Sequence, residues 1–282
     1  MTVAGLLAES RAALSLREAR LLLGHALGLA LAALEARPER TVEPQAAAHF
    51  RALAARRAAG EPIAYLTGRR EFYGLDFHVT PDVLIPREET ELLVDIAREA
   101  AREDPSAQSM QPLRILDLGA GSGCLAVAVA KALPQARVTA VDASAAALAV
   151  ARENAIRHDA DIRWLSGDWF APLAGECFDL ILSNPPYVAA DDPHLAQGDV
   201  RFEPRAALIA GADGLADLRR IIAAAPPHLA PGGWLWLEHG YDQAPAVAAL
   251  LTEAGLTGIA QRRDLAGILR VSGGRQRGNP AH

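Results

Sequence analysis

The sequence predicts an α/β fold: a parallel, doubly wound sheet preceded by a small helical bundle and joined to it by a β-hairpin. Three observations predict it. Short apolar runs at residues 114–118, 137–141, 161–166 and 178–182 are interleaved with segments whose apolar residues recur every three or four positions, the pattern of buried strands and amphipathic helices. The first of these runs passes into the glycine-rich turn Gly119-Ala120-Gly121-Ser122-Gly123 and then into an apolar helical segment. That is the order of a nucleotide-binding first crossover, in which glycines let the backbone approach a ligand. The first sixty residues, by contrast, show only helical periodicity.

At 282 residues the chain has room for two domains. Its 51% hydrophobic and 22% charged content excludes a disordered protein. Cys124 and Cys177 are too few for a disulfide framework or a four-cysteine zinc site, and both flank apolar segments, so they read as small buried residues. The apolar segment 21–34 is broken by Gly24, His25 and Gly28 and is too short to span a bilayer. No secretory signal is visible, so the expectation is a cytoplasmic protein. Residues 1–70 hold ten arginines against six acidic residues, which leaves 18 basic against 28 acidic residues in the remainder. The basic excess of the first part fits either a solvated helical face or steering toward an acidic or RNA-bearing assembly. With no concentrated basic stripe, direct nucleic-acid binding has weak support.

In chain order, residues 2–13, 16–27, 30–35 and 44–59 read as the helices of the bundle. In the last of them Pro44 suits the first turn, Arg56 and Arg57 suit the negative C-terminal end, and Gly60 suits a left-handed stop. From Glu61 aromatic and β-branched residues mix with glycine turns. The short alternating runs on either side of Gly74 and Pro81 predict a hairpin. Its aromatics Phe72, Tyr73 and Phe77 form a hairpin core or line the mouth of a ligand site. The expected domains are therefore a bundle at 1–70, a linker at 71–88 and a sheet domain at 89–282. In the sheet domain, helices are expected at 89–103, 123–133 and 144–158 among the four strands. The polar stretch 188–205 lacks periodicity and reads as a substrate-covering loop or as plain surface irregularity. A helix at 215–229, a turn at Pro231-Gly232-Gly233, a strand at 234–238, a helix at 243–254 and end strands at 257–262 and 267–271 follow. The tail from Gly273 onward is expected to be disordered.

Strand–helix alternation puts ligands at the C-terminal edge of the sheet, and chemistry-bearing residues fall there. The spacing of the glycine turn is G-x-G-x-G, which misplaces the third glycine of the dinucleotide pattern and disfavours a pyrophosphate. Asp142, ending the second strand, could accept both hydroxyls of a ribose. An adenosine-type ligand without a phosphate fits both facts. After the fourth strand, Ser183-Asn184-Pro185-Pro186-Tyr187 ends the ladder, because neither proline can donate to it. The Asn184 side chain and the carbonyls beside the prolines offer acceptors, and Tyr187 offers an aromatic face. Such a wall suits a planar group bearing an NH2; taken alone, a Pro-Pro turn capped by Asn fits equally well. In Gly167-Asp168-Trp169-Phe170, Asp168 could accept an adenine amino group and an aromatic could cover its ring, or the segment is a simple strand-end turn.

The segment from Glu61 to Gly68, the run Glu71-Phe72-Tyr73-Gly74-Leu75-Asp76-Phe77, the stretch Val83-Leu84-Ile85-Pro86-Arg87 with Glu89-Thr90-Glu91, the glycine loop and Asn184 to Tyr187 together resemble the PrmC/HemK family, peptide chain release factor N5-glutamine methyltransferases. The match spans nearly the whole chain in order. It departs at Glu88, where the family usually has proline, and at Ala120, where threonine is common. The resemblance implies a Rossmann-like class I methyltransferase sheet with a small N-terminal helical-bundle domain and a β-hairpin linker. It implies S-adenosyl-L-methionine held by Gly119, Ala120, Gly121, Ser122, Gly123, Asp142, Trp169 and Asn184. Asn184, Pro185 and Tyr187 would be catalytic, and with Pro186 they would bind the substrate. The substrate implied is the glutamine of the Gly-Gly-Gln loop of release factors, which the bundle would dock; no metal, membrane or direct nucleic-acid contact is implied. Two rivals stand beside this reading: an exocyclic-amine methyltransferase acting on a flipped base, which would need a basic track, and a non-catalytic or nicotinamide-binding Rossmann protein, the latter disfavoured by the glycine spacing.

Overall fold

A computed structural model describes residues 1–103 and 112–278. The chain divides into two compact units, Met1–Arg69 with Pro193–Phe202, and Arg70–Asp192 with Glu203–His282.

In the first unit, α1 (Val3–Ser10) is capped by Thr2, whose hydroxyl accepts from the Gly5 amide at 3.2 Å. Helix α2 (Leu16–Leu27) opens with a reciprocal Ser15–Glu18 capping box and closes on Gly28 at φ 62°. Then come α3 (Leu31–Ala36) and α4 (Pro44–Ala58), the latter with proline in its first turn and Arg56 and Arg57 in its last. Residues 61–68, grouped by composition with the hairpin, hold instead the short helix α5 (Ile63–Thr67), stopped by Gly68 at φ 68°. Leu6, Leu22, Leu23 and Phe50 are buried at the centre of this unit. Segment 193–202 belongs here because Asp199 pairs with Arg57 of α4 at 2.7 Å and Arg201 donates to the Ala59 carbonyl at 2.7 Å. Composition alone gives no sign of that return.

The second unit opens with the remainder of the two-stranded hairpin β1 (Arg69–Phe72) and β2 (Leu75–His78). Tyr73 and Gly74 between the strands both sit at positive φ, as a two-residue hairpin turn requires. A 3-10 turn, Glu88–Thr90, leads into α6 (Glu91–Glu103), so the helix expected from residue 89 begins two residues later. Next come β3 (Arg114–Leu118), α7 (Cys124–Ala132), β4 (Arg137–Asp142), α8 (Ala145–Arg157), β5 (Ile162–Ser166) and β6 (Phe178–Ser183). The chain ends with α9 (Ala216–Ala224), β7 (Leu229–Glu238), α10 (Ala244–Glu253), β8 (Thr257–Arg263) and β9 (Leu269–Arg275). The seven-stranded sheet runs β5-β4-β3-β6-β7-β9-β8, with β9 antiparallel to both of its neighbours.

Both faces of this sheet are covered, which is why its strands read as continuous apolar runs. Ile115, Leu180, Leu182 and Trp236 pack with Leu93 and Val94 of α6 and Val127 of α7. Leu116, Leu118, Ile181, Leu235 and Leu237 pack the other way, with Leu218 and Ile222 of α9 and Val247 and Leu251 of α10.

Three expectations are corrected. The helix expected to reach residue 229 stops at Ala224, just before Pro226 and Pro227. Pro231-Gly232-Gly233 is no free turn but lies inside β7, where the register against β6 shifts. The tail expected to be disordered from Gly273 is strand as far as Arg275, paired with β7 and β8; residues 279–282 of that expectation lie outside the described residues. Its glycines do structural work, since a Cβ at Gly273 would lie 2.3 Å from the Trp236 ring.

Candidate active site

The strand order reverses between β3 and β6, and in an open α/β sheet the crevice beyond the carboxyl ends at such a point is where ligands bind. The glycine turn follows β3, Asp142 ends β4, and Asn184 follows β6, so all three reach this edge. The turn is pinned by its own backbone. The Gly119 and Ala120 amides donate to the Val141 carbonyl at 2.9 and 3.0 Å, and the Gly121 amide donates to Asp142 Oδ2 at 2.8 Å. Asp142 Oδ1 accepts from the Ser144 amide at 2.8 Å. Each carboxylate oxygen thus spends one lone-pair direction on the fold and keeps another for a ligand.

A cavity of about 310 Å³ opens here, within the size range of small-ligand sites. Gly119, Ala120, Gly121, Ser122, Asp142, Trp169, Asn184 and Pro186 line it. Gly123, Pro185 and Tyr187 are outside its lining: Gly123 caps α7 at φ 78°, Pro185 is buried, and Tyr187 packs against the core on the α9–α10 side. Trp169 sits at φ 49° with its ring beside the turn, where a Cβ on Gly119 would come within 3.3 Å of it. Asp168 lines the cavity, and Arg220 donates to its Oδ2 at 2.5 Å.

Four acidic or hydroxyl groups that motif reading did not single out complete the site. Asp117 of β3 is buried in the cavity wall and accepts from the Ala126 amide at 3.1 Å. Burial, with the negative charge of Asp142 adding to it, pushes its carboxyl up to about 7. Glu203 is buried too; it pairs with Arg87 and accepts from the Ile85 amide at 3.0 Å. This ties down the segment 83–87 that forms part of the wall. Glu88, standing where the resembling family has proline, is exposed and meets Arg70 at 3.4 Å.

The other two are Thr90 and Glu238. Asn184 Nδ2 donates to Thr90 Oγ1 at 2.9 Å, Thr90 Oγ1 donates to Glu238 Oε2 at 2.6 Å, and the Tyr187 hydroxyl donates to Glu238 Oε1 at 3.2 Å. Both polar side chains of the Asn-Pro-Pro-Tyr turn therefore converge on one buried carboxyl. Burial raises that carboxyl to about 7, opposed by the hydroxyls of Thr90 and Tyr187. Burial likewise pushes the Tyr187 phenol far up, so it stays protonated and able to donate. Asn184 Oδ1 takes no donor from the described residues, and Asn184 lines the cavity. The sequence signal for Glu238 is its place at the end of a buried strand on the same edge as Asp142 and Asn184.

The fold and this edge define a Rossmann-like methyltransferase. The methyltransferase small domain matches residues 103–200, and the PrmC N-terminal domain matches residues 3–68. Among solved structures, the hMettl16 catalytic domain in complex with MAT2A 3′UTR hairpin 1 superposes with a TM-score of 0.58 at 14% identity, over 82% of this chain and 84% of that one. A T. Thermophilus 16S rRNA N2 methyltransferase in complex with AdoMet and guanosine gives 0.53 at 21% identity, over 74% and 50%. The chain is 57% identical to the release factor glutamine methyltransferase of Bordetella pertussis, over 91% of this chain and 93% of that one. It is 46% identical to that of Geobacter sulfurreducens, over 96% and 93%. It belongs to the release factor glutamine methyltransferase family.

Proposed function

We propose that the protein transfers a methyl group from S-adenosyl-L-methionine to the side-chain amide nitrogen of the glutamine in the Gly-Gly-Gln loop of peptide chain release factors. The observation that carries this reading is the open oxygen of Asn184, which lines a glycine-walled cavity in a chain of this family.

The residues present suit that donor. Asp142 has acceptor capacity left for ribose hydroxyls, Trp169 offers an aromatic face to adenine, and the backbone of Gly119 to Ser122 allows close approach. Asp117 supplies a buried carboxyl for a cationic group, whose charge would draw it to its ionised form. When bound, S-adenosyl-L-methionine supplies an electrophilic methyl on a sulfonium sulfur.

An amide nitrogen is a weak nucleophile, because its lone pair is delocalised into the carbonyl. Asn184 Oδ1 and the Pro185 carbonyl accept one N–H each and turn that lone pair toward the cavity. Tyr187, outside the cavity lining with its hydroxyl fixed on Glu238, steadies the turn that carries Asn184. As positive charge grows on the nitrogen, these fixed dipoles stabilise it, and alignment supplies the rest of the rate. The proton leaves the nitrogen afterwards, when methylation has made it acidic.

Residues 71–282 carry 18 basic against 28 acidic side chains, a balance that gives a nucleic-acid substrate weak support. Incubating the protein with methyl-labelled S-adenosyl-L-methionine and, separately, release factor, RNA or DNA tests the reading. Label is expected in release factor alone; label in a nucleic acid instead would overturn it.

A further inference from the structure

We propose that Thr90 and Glu238 are positioning residues for methyl transfer, because their hydrogen bonds decide which end of the Asn184 carboxamide faces the substrate. The inference rests on the reading of Asn184 as the acceptor of the substrate amide. An asparagine side chain is nearly symmetric in shape and opposite in chemistry at its two ends, so a site that needs its oxygen must hold it against rotation. Here the holding group is Thr90, buried to 3% exposure, and behind it Glu238, buried to 1%.

The direction follows from the proton count. A carboxylate can only accept, so the single hydroxyl proton of Thr90 goes to Glu238 Oε2, 2.6 Å away. What remains on Thr90 Oγ1 is a lone pair, which requires a donor. Asn184 Nδ2 meets it at 2.9 Å, and Oδ1 is left for the cavity. If Glu238 carries a proton on Oε2, every bond in the series can reverse. The acid then donates to Thr90, Thr90 donates to Asn184 Oδ1, and the amide NH2 faces the cavity, donor against the donor N–H groups of the substrate. The carboxylate of Glu238 is thus the competent form.

Several ionisable groups face Glu238 from the elements around it. Tyr187 donates to Oε1 from the loop after β6, while Glu89 beside Thr90 and Arg270 of β9 act on it with opposite charge effects. Cys124 at the start of α7 feels its charge, and Arg87 acts on the neighbouring Tyr187. The adjacent His239 is turned to Ser272, at 2.8 Å, and burial lowers its pKa. The sum leaves the Glu238 carboxyl raised to about 7, led by burial, so the switch falls where it can be titrated in the folded protein.

The test needs two arms. In the first, the Asn184 side-chain amide signals of the whole protein are followed by NMR without substrate as pH is varied. They are expected to shift with the Glu238 carboxyl, at one common midpoint. T90S should keep that coupling, while T90V and E238Q should abolish it. In the second, turnover on release factor is measured across the same range. Wild type and T90S should lose kcat on the acid side, E238Q should lose the acid limb, and T90V should lose about 10²-fold in kcat at unchanged affinity for S-adenosyl-L-methionine. Asn184 signals indifferent to the titration of Glu238, or a T90V enzyme with wild-type kcat, would overturn the proposal. A wild-type protein inactive on release factor would count against the function instead, and the NMR arm would still decide the relay.

Discussion

At Asn184 the nitrogen is committed to Thr90 and the oxygen is left for a ligand, so removing the side chain should strike catalysis and spare the cofactor. Asn184→Ala is expected to lower kcat by about 10²- to 10³-fold, as loss of a fixed dipole aimed at developing charge does. Calorimetry of S-adenosyl-L-methionine binding should stay within a few-fold of wild type. Asp142→Ala should do the reverse, weakening cofactor binding by about tenfold to a hundredfold through two lost ribose bonds of roughly 1 kcal/mol each. Unchanged affinity in that variant would remove Asp142 from the site. Both residues were legible in the sequence because each ends an apolar run, and a strand's end is a place in the fold. Thr90 and Glu238 were not legible as a pair, since 148 positions separate them and only the docking of α6 against the sheet brings them together. Asp117 was hidden differently: it stands inside a strand, where an acidic residue gives no hint of which way it faces.

Among the elements, β3 to β6 and the helices α7 and α8 were read almost to the residue, because strands buried on both faces are continuous in apolar residues. The second half of the last strand, expected only as far as residue 271, was missed for the same physical reason in reverse. Gly273 and Gly274 of β9 carry no side chain to register a pattern, yet each fills a place where a side chain will not fit. Gly273→Ala would set a methyl 2.3 Å from the Trp236 ring. It is expected to destabilise the fold by roughly 1–3 kcal/mol, as overpacking does. Denaturation followed by tryptophan fluorescence would show this as a lower midpoint, and an unchanged midpoint would mean that β9 yields freely. Segment 193–202 escaped reading because its place depends on Arg57 meeting Asp199, an ion pair across 142 positions.

Taken whole, the molecule keeps two buried carboxyls, Asp117 and Glu238, that burial raises to about 7 from ordinary values of 3.8 and 4.5. Between those values and 7 the folded state holds protons that the unfolded chain has released, so stability falls as pH rises through this window. The slope is at most about 1.4 kcal/mol per pH unit for each group. Denaturant midpoints for the double variant D117N/E238Q should therefore fall less across the window than those of wild type. Equal falls would mean that neither carboxyl is perturbed. The form that destabilises the fold, ionised Glu238, is the form that aims Asn184, so the site's order is maintained at some expense of stability. The most direct test of the whole account is fragment mass spectrometry of release factor after incubation with the wild-type protein and S-adenosyl-L-methionine. The account predicts a single added methyl on the side-chain nitrogen of the Gly-Gly-Gln glutamine; a methyl on any other atom, or an unmodified loop, would contradict it.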